Sequence, residues 1–100
     1  PVLHPAIIKH PVTGTPCVYV NSAFTTHFEN WSTEESVSLL AYLYRFVTQP
    51  IFTARVVWSP GMVAIWDNRL VQHYATADYS GRPRLMHRIT VGGVPLESFN

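Results

Sequence analysis

The chain has a single cysteine and few charged residues. The first shortage excludes an internal disulfide, and the second argues against a general nucleic-acid binder. Cys17 has no second cysteine to pair with, so no internal disulfide can form, which favours a reducing, cytoplasmic setting. Only 13% of the 100 residues are charged, and the formal net charge is +1. A general nucleic-acid binder normally carries a strong basic excess, so we predict no nucleic-acid partner.

The sequence also lacks a long apolar run and a signal-peptide pattern, so we predict no membrane partner. It begins with Pro1 and not with methionine, and residues 2–9 already resemble the middle of a domain. We therefore expect residues 1–100 to be the C-terminal portion of a longer domain.

Apolar and aromatic residues are plentiful, at 47% and 13% of the chain, which favours a globular, sheet-rich fold. Short β-prone runs separated by proline- and glycine-containing turns predict several strands. These predicted strands lie at 6–9, 17–20, 52–58, 62–66, 70–75 and 85–91. Many short strands with one inserted helix predict a mainly β fold, of the barrel or sandwich kind.

The one predicted helix covers residues 32–48. Ser32 is followed three residues later by Glu35, which is the pattern of a capping box. Apolar residues at helical spacing from Val37 to Val47 predict one buried face. The helix should end before Pro50, because a residue that precedes proline avoids helical angles.

The most informative segment covers residues 66–88, where His73 precedes Arg84 and Arg88. A neutral imidazole is a good ligand for iron(II), and a guanidinium matches the two oxygens of a carboxylate. On a strand, the two arginines would share one face about 13 Å apart and could hold two anions. The alternatives are a structural histidine and a solvated basic face, or phosphate contacts to RNA with Tyr74 and Tyr79 as stacking rings.

The remaining histidines and Cys17 are further candidates for a site. His27 and Glu29 have the spacing of two ligands in an iron site, but a pair of surface residues leading into the helix is favoured. The other histidines have no partner at ligand spacing and are predicted to be structural; they are His4, His10 and His87. Cys17 lies in an apolar strand and is predicted to be a buried small hydrophobe.

Residues 4–92 resemble the C-terminal half of the taurine/alkylsulfonate dioxygenase family. The matching motifs are His10-Pro11-Val12-Thr13-Gly14, Tyr19-Val20-Asn21 with Phe24-Thr25-Thr26, the helix at 32–48, Ala64-Ile65-Trp66-Asp67-Asn68-Arg69, Gln72-His73-Tyr74-Ala75 with Asp78-Tyr79, and Arg84-Leu85-Met86-His87-Arg88. The resemblance implies a double-stranded β-helix, or jelly roll, of which this chain would be the C-terminal half.

The resemblance also implies iron(II) as cofactor, 2-oxoglutarate as cosubstrate and roles for seven residues. His73 would be the distal histidine ligand of iron, and Arg84 would pair with the far carboxylate of 2-oxoglutarate. Arg88 would hold the anionic head of the substrate, and Phe24 would line its pocket. Trp66, Asp67 and Asn68 would shape the turn that presents His73.

The implied reaction is hydroxylation, with O2, of a small anionic substrate such as taurine or another alkylsulfonate. It would release succinate, CO2, an aldehyde and sulfite, and a dimer or tetramer is expected. The same chemistry on alkyl sulfates or aryloxyacetates remains open, as does a non-catalytic anion- or RNA-binding β-domain. One departure matters: the family's His-x-Asp motif is absent, so this chain would supply one iron ligand of three.

Overall fold

A computed structural model of the chain describes residues 1–76, 81 and 84–100. The Asp78-Tyr79 part of the histidine motif and Arg82, in the arginine-rich segment, lie outside the described residues.

A three-stranded antiparallel sheet forms the centre of the described structure, in the order β2-β1-β3. Its strands are β1 (Ile7–Lys9), β2 (Pro16–Val18) and β3 (Glu97–Ser98). Ile8 lies opposite Cys17 on one side and Ser98 on the other. Strands β1 and β2 agree with the first two predicted strands, whereas β3 was not predicted.

The connection from β1 to β2 is a tight turn. The amide of His10 donates to the carbonyl of Thr15 at 2.9 Å, and the amide of Gly14 donates to the carbonyl of His10 at 2.8 Å. Gly14 has a φ of 73°, a left-handed conformation that costs a residue with a β-carbon about 1–2 kcal/mol. The glycine-containing turn predicted between the first two strands is therefore present.

The single α-helix, α1 (Thr33–Val47), confirms the predicted helix and its capping box. Ser32 is the N-cap: its hydroxyl accepts from the Glu35 amide at 3.0 Å, and the Glu35 carboxylate accepts from the Ser32 amide at 2.7 Å. Thr48 is the C-cap, and a 3-10 turn, Pro50–Phe52, follows. The helix thus begins and ends within a residue of the predicted bounds.

Helix α1 contacts the segment that joins it to the sheet through polar groups. Ser36 is fully buried, and its hydroxyl accepts from the amide of Phe28 at 3.0 Å. Leu40, one turn further along, is also buried, whereas Val37 is exposed. The predicted apolar stripe is therefore only partly covered, and a buried serine occupies its edge.

Four predicted strands, at 52–58, 62–66, 70–75 and 85–91, are wrong for the described residues, where none of them pairs with another strand. Alternating apolar residues favour an extended backbone, but a strand also needs a neighbouring strand to complete its hydrogen bonds. Within the described residues, these segments have no such neighbour. The fold is thus a small antiparallel sheet with one helix, and a jelly roll remains a prediction.

The hydrophobic core in the described residues is small. It consists of Ile8, Cys17, Val20 and Leu40, and the burial of Cys17 agrees with its predicted role as a small hydrophobe. The radius of gyration is 16.1 Å, above the about 13 Å expected for a compact domain of this length. Apolar side chains outside the core stay uncovered, and Ile65 is 93% exposed.

No helix in the described ranges combines the length and the apolarity that crossing a membrane would require.

Candidate functional site

A tight turn centred on Asp67 immediately precedes the segment that carries His73. The carbonyl of Asp67 accepts from the amides of Leu70 and Val71, both at 3.0 Å. Its carboxylate also accepts from the amide of Arg69 at 2.9 Å. An aspartate that bonds to the backbone two residues ahead stabilises such turns, which is why the Asp67-Asn68 sequence folds this way.

The imidazole of His73 lies against the indole of Trp66. Their ring centroids are 5.0 Å apart and the planes meet at 50°. The indole is itself oriented, because its Nε1 donates to the side-chain oxygen of Asn68 at 2.8 Å. His73 is exposed, and neither of its ring nitrogens makes a hydrogen bond to a described residue.

A charge cluster holds the turn. Arg69 forms a two-pronged ion pair with Asp67, through Nε to Oδ1 and through a terminal nitrogen to Oδ2, both at 2.8 Å. Asp67 Oδ2 also lies 3.0 Å from Nε2 of His10, a buried side chain 57 residues away. The hydrogen bonds from Arg69, and then from His10, hold the pKa of Asp67 well below its usual range. Asp67 in turn raises the pKa of Arg69.

A second long-range contact lies on the other side of the turn. The side-chain amide of Gln72 donates to the carbonyl of Val20 at 2.6 Å. Val20 is buried just after β2. The segment 66–73 is therefore attached at two points to the N-terminal hairpin, which is formed by β1 and β2, and to the residues that follow it.

The other predicted site residues are also exposed. Phe24 is 85% exposed, on a turn in which the amides of Phe24 and Thr25 donate to the carbonyl of Asn21. Arg84 and Arg88 are exposed. No hydrogen bond, ion pair or ring contact between described residues joins any of the three to His73. The shared face of the two arginines depended on a strand that the described residues do not form, so it remains a prediction.

The spacing of His27 and Glu29 does not form a metal site in the described structure. His27 and Glu29 are exposed, and the His27 ring bonds to the hydroxyl of Thr26 at 3.0 Å. Among the described residues, no three histidine, cysteine, aspartate or glutamate side chains lie close enough together to hold a metal ion. Within that part of the chain, His73 is thus without companion ligands.

Sequence reasoning assigned His10 a structural role but did not identify its partner. Two features could have suggested a partner: His10 follows a β-strand directly and precedes a proline, and Asp67 opens a polar turn. Neither feature connects the two positions, because the contact depends on the tertiary fold.

Comparison with known proteins identifies the family. The family model of the taurine catabolism dioxygenase TauD, TfdA family matches residues 1–90. An alpha-ketoglutarate-dependent dioxygenase, cnsM, from Penicillium expansum is 39% identical over 96% of this chain and 28% of its own length. An alpha-ketoglutarate-dependent sulfate ester dioxygenase from Pseudomonas putida is 39% identical over 90% of this chain and 30% of its own length.

A third relative is the alpha-ketoglutarate-dependent sulfonate dioxygenase of Saccharomyces cerevisiae, 42% identical over 77% of this chain and 19% of its own length. The chain therefore spans less than a third of the length of these relatives. No solved structure shows a significant match. The match over nine-tenths of the chain, together with the relatives, shows that this chain belongs to the TauD, TfdA family of dioxygenases.

Proposed function

We propose that this chain is the C-terminal part of an iron(II)- and 2-oxoglutarate-dependent dioxygenase that hydroxylates a small anionic substrate. The observation that carries the proposal is the family match over residues 1–90, which includes the positions of His73, Arg84 and Arg88. The names of the relatives support the use of 2-oxoglutarate, which is also called alpha-ketoglutarate.

His73 suits one position in the coordination of iron. A metal-binding imidazole must be neutral at the ligating nitrogen and accessible to the ion, and His73 is exposed with no hydrogen bond to a described residue. Its contact with Trp66 restricts how the ring can turn. Iron(II), when bound, would activate O2 for oxidation of the substrate while 2-oxoglutarate is converted to succinate and CO2.

The two arginines provide the anion-binding groups of the proposal. A guanidinium remains charged at any physiological pH and matches two carboxylate or sulfonate oxygens with two parallel hydrogen bonds. Arg84 binds the far carboxylate of 2-oxoglutarate and Arg88 the anionic head of the substrate, with Phe24 lining the pocket. Fixing both molecules by their charges orients the carbon that is to be oxidised.

The remaining ligands and the remaining sheet come from residues outside this chain. Only one candidate iron ligand of three is present here, and the exposed apolar segments at 52–66 and 85–91 need strands to pair with. An N-terminal half with a His-x-Asp motif would supply both needs and complete a jelly roll. We expect the complete protein to be cytoplasmic and to form a dimer or tetramer.

The proposed substrates are alkylsulfonates, including taurine, with alkyl sulfates and aryloxyacetates as alternatives. Sulfonates and sulfate esters are named for two of the relatives. Arg88 would bind the anionic head of any of these compounds. With a sulfonate, hydroxylation next to the sulfur would give an unstable product that releases an aldehyde and sulfite.

The test uses the protein at its full natural length. Anaerobic addition of iron(II) and 2-oxoglutarate should produce the visible charge-transfer band of the chelated pair, and His73→Ala should abolish it. His87→Ala is the matched control, since His87 is also exposed and lies between the two arginines. An unchanged band in His73→Ala would refute the assigned ligand. Succinate formation with a sulfonate, a sulfate ester and an aryloxyacetate would then identify the substrate class.

The competing function is a non-catalytic β-domain that binds an anion or RNA through its arginines. Binding to a phosphate backbone weakens steeply as salt rises, because counterions are released when it forms. Consumption of 2-oxoglutarate, in contrast, requires the metal. RNA affinity with a steep salt dependence and no metal-dependent consumption of 2-oxoglutarate would favour the β-domain.

A further inference from the structure

A partly buried polar contact joins the hairpin formed by β1 and β2 to the turn that precedes His73. His10 is 4% exposed, and its Nε2 lies 3.0 Å from Oδ2 of Asp67. The contact spans 57 residues of sequence. A buried side chain that reaches across the fold in this way fixes the relative position of the two segments that it joins.

The proton of the His10 ring is placed by its neighbours. Nδ1 accepts from the amides of Val12 and Thr13, at 3.3 and 3.2 Å, and therefore carries no proton. Nε2 must then carry it and donate to Asp67. The two ring nitrogens have separate roles, since Nδ1 supports the turn between β1 and β2 while Nε2 holds Asp67.

Asp67, which the bond from His10 holds, also bonds to the segment that follows it. Its carbonyl closes the turn to Leu70 and Val71, and the Arg69 ion pair fixes the carboxylate. Trp66, the residue directly before Asp67, lies against the His73 ring. Asp67 therefore lies between the residue that carries the indole and the turn through which the backbone enters the 70–73 segment.

We infer that His10 and Asp67 are positioning residues for His73, which they hold in place through the Trp66–Asp67 turn. The inference rests on the proposed function for its metal-binding consequence, but not for its structural content. Partners that orient a metal ligand typically change metal affinity 10–100-fold when they are removed. Because His10 acts through Asp67 and the turn, we expect the lower end, about 10-fold.

Two substitutions at one position separate the two roles of the ring. In His10→Asn, the side-chain oxygen can replace Nδ1 as acceptor for the turn, but nothing reaches Asp67. In His10→Gln, the longer side chain places an amide nitrogen near the position of Nε2 and keeps the bond to Asp67. His4→Asn is the matched control, an exposed histidine that contacts Tyr19 instead.

The first measurement needs no metal: the imidazole resonances of His73 in labelled protein of full natural length, which the Trp66 ring current displaces. We expect His10→Asn to move these resonances toward free-histidine values, and His10→Gln and His4→Asn to preserve them. Unchanged resonances in His10→Asn, or equal changes in the Asn and Gln variants, would overturn the inference. If His10→Asn does not fold, Asp67→Asn, which weakens the same bond without changing size, should move the resonances, and unchanged resonances would again overturn it.

The second measurement is iron(II) affinity under anaerobic conditions. His10→Asn should bind about 10-fold more weakly than the wild type, and His10→Gln should bind with near wild-type affinity. If the wild-type protein binds no iron, the proposed function fails, while the resonance shifts still decide the positioning role. If the wild type binds iron and His10→Asn binds equally well, the positioning role is refuted alone.

Discussion

The side-chain amide of Gln72 donates to the backbone carbonyl of Val20 across 2.6 Å, and the two residues are 52 positions apart in the sequence. Val20 is 3% exposed, so little water can reach the site to replace a lost donor. Gln72 directly precedes His73. This bond and the bond from His10 to Asp67 together attach the segment 66–73 to the N-terminal part of the fold.

We expect Gln72→Met to lower the free energy of unfolding by about 1 kcal/mol, because the Val20 carbonyl loses its donor while packing volume is largely kept. Gln72→Glu should be at least as harmful, since it brings a carboxylate oxygen to a carbonyl oxygen. Urea denaturation of both variants at pH 7 measures the effect. Stability equal to that of the wild type in Gln72→Met would mean that the bond contributes nothing.

The capping box gives a prediction for helix α1. Ser32→Ala removes the acceptor for the Glu35 amide and should cost about 1 kcal/mol of the free energy of unfolding. Ser38→Ala is the control, because Ser38 is an exposed residue of the same helix, where alanine has the better propensity. Thermal unfolding followed at 222 nm compares the two. A loss in Ser38→Ala as large as that in Ser32→Ala would contradict the capping role.

The helix and the first hairpin could be predicted from the sequence because their signals are local. Ser32 and Glu35 begin the helix, Pro50 follows its end, and Gly14 permits the turn between β1 and β2. In each case the residues that determine the element lie within a few positions of it. Such local signals do not depend on contacts with distant parts of the chain.

The remaining strands and the long-range contacts could not be predicted in the same way. Alternating residues at 52–58 predicted a strand that the structure does not form, because a strand depends on pairing with a neighbouring segment. The partner of the buried Ser36 hydroxyl, the amide of Phe28, was not predicted either. At the candidate site, the sequence pointed to His73 and its turn, but the two attachments at Asp67 and Gln72 arise only in the folded chain.

The lowered pKa of Asp67 predicts a pH dependence of stability. The folded state holds this proton less tightly than the unfolded state, so the ion pair with Arg69 and the bond from His10 stabilise the fold fully above the ordinary aspartate pKa of about 3.9. This stabilisation is lost progressively as the pH falls below that value toward the lower folded pKa. The difference in unfolding free energy between the wild type and Asp67→Asn should therefore be constant near neutral pH and shrink in acid.

Urea denaturation of both proteins at a series of pH values from about 3 to about 7 checks this dependence, with the range set by the ordinary aspartate pKa. A difference that stays the same across the whole range would show that Asp67 is not held in its charged form by its neighbours. A difference that grows in acid would reverse the predicted sign.

Removing Arg84 and removing Arg88 from the protein of full natural length should raise the KM for two different molecules. Arg84→Ala removes the partner of the far carboxylate of 2-oxoglutarate, and loss of such a charge pair costs about 2 kcal/mol or more. The KM for 2-oxoglutarate should therefore rise about 30-fold or more. Arg88→Ala should raise the KM for the anionic substrate instead, because that arginine holds the other anion.

Steady-state assays of succinate formation, with each substrate varied in turn, separate the two effects. Arg45→Ala is the control, since Arg45 is an exposed arginine in the last turn of α1 and should leave both KM values unchanged. Arg84→Lys should recover only part of the loss, because an ammonium keeps the charge but not the two-pronged geometry. An unchanged KM for 2-oxoglutarate in Arg84→Ala, or a defect in Arg88→Ala confined to 2-oxoglutarate, would refute the assignment of the two arginines to two anions.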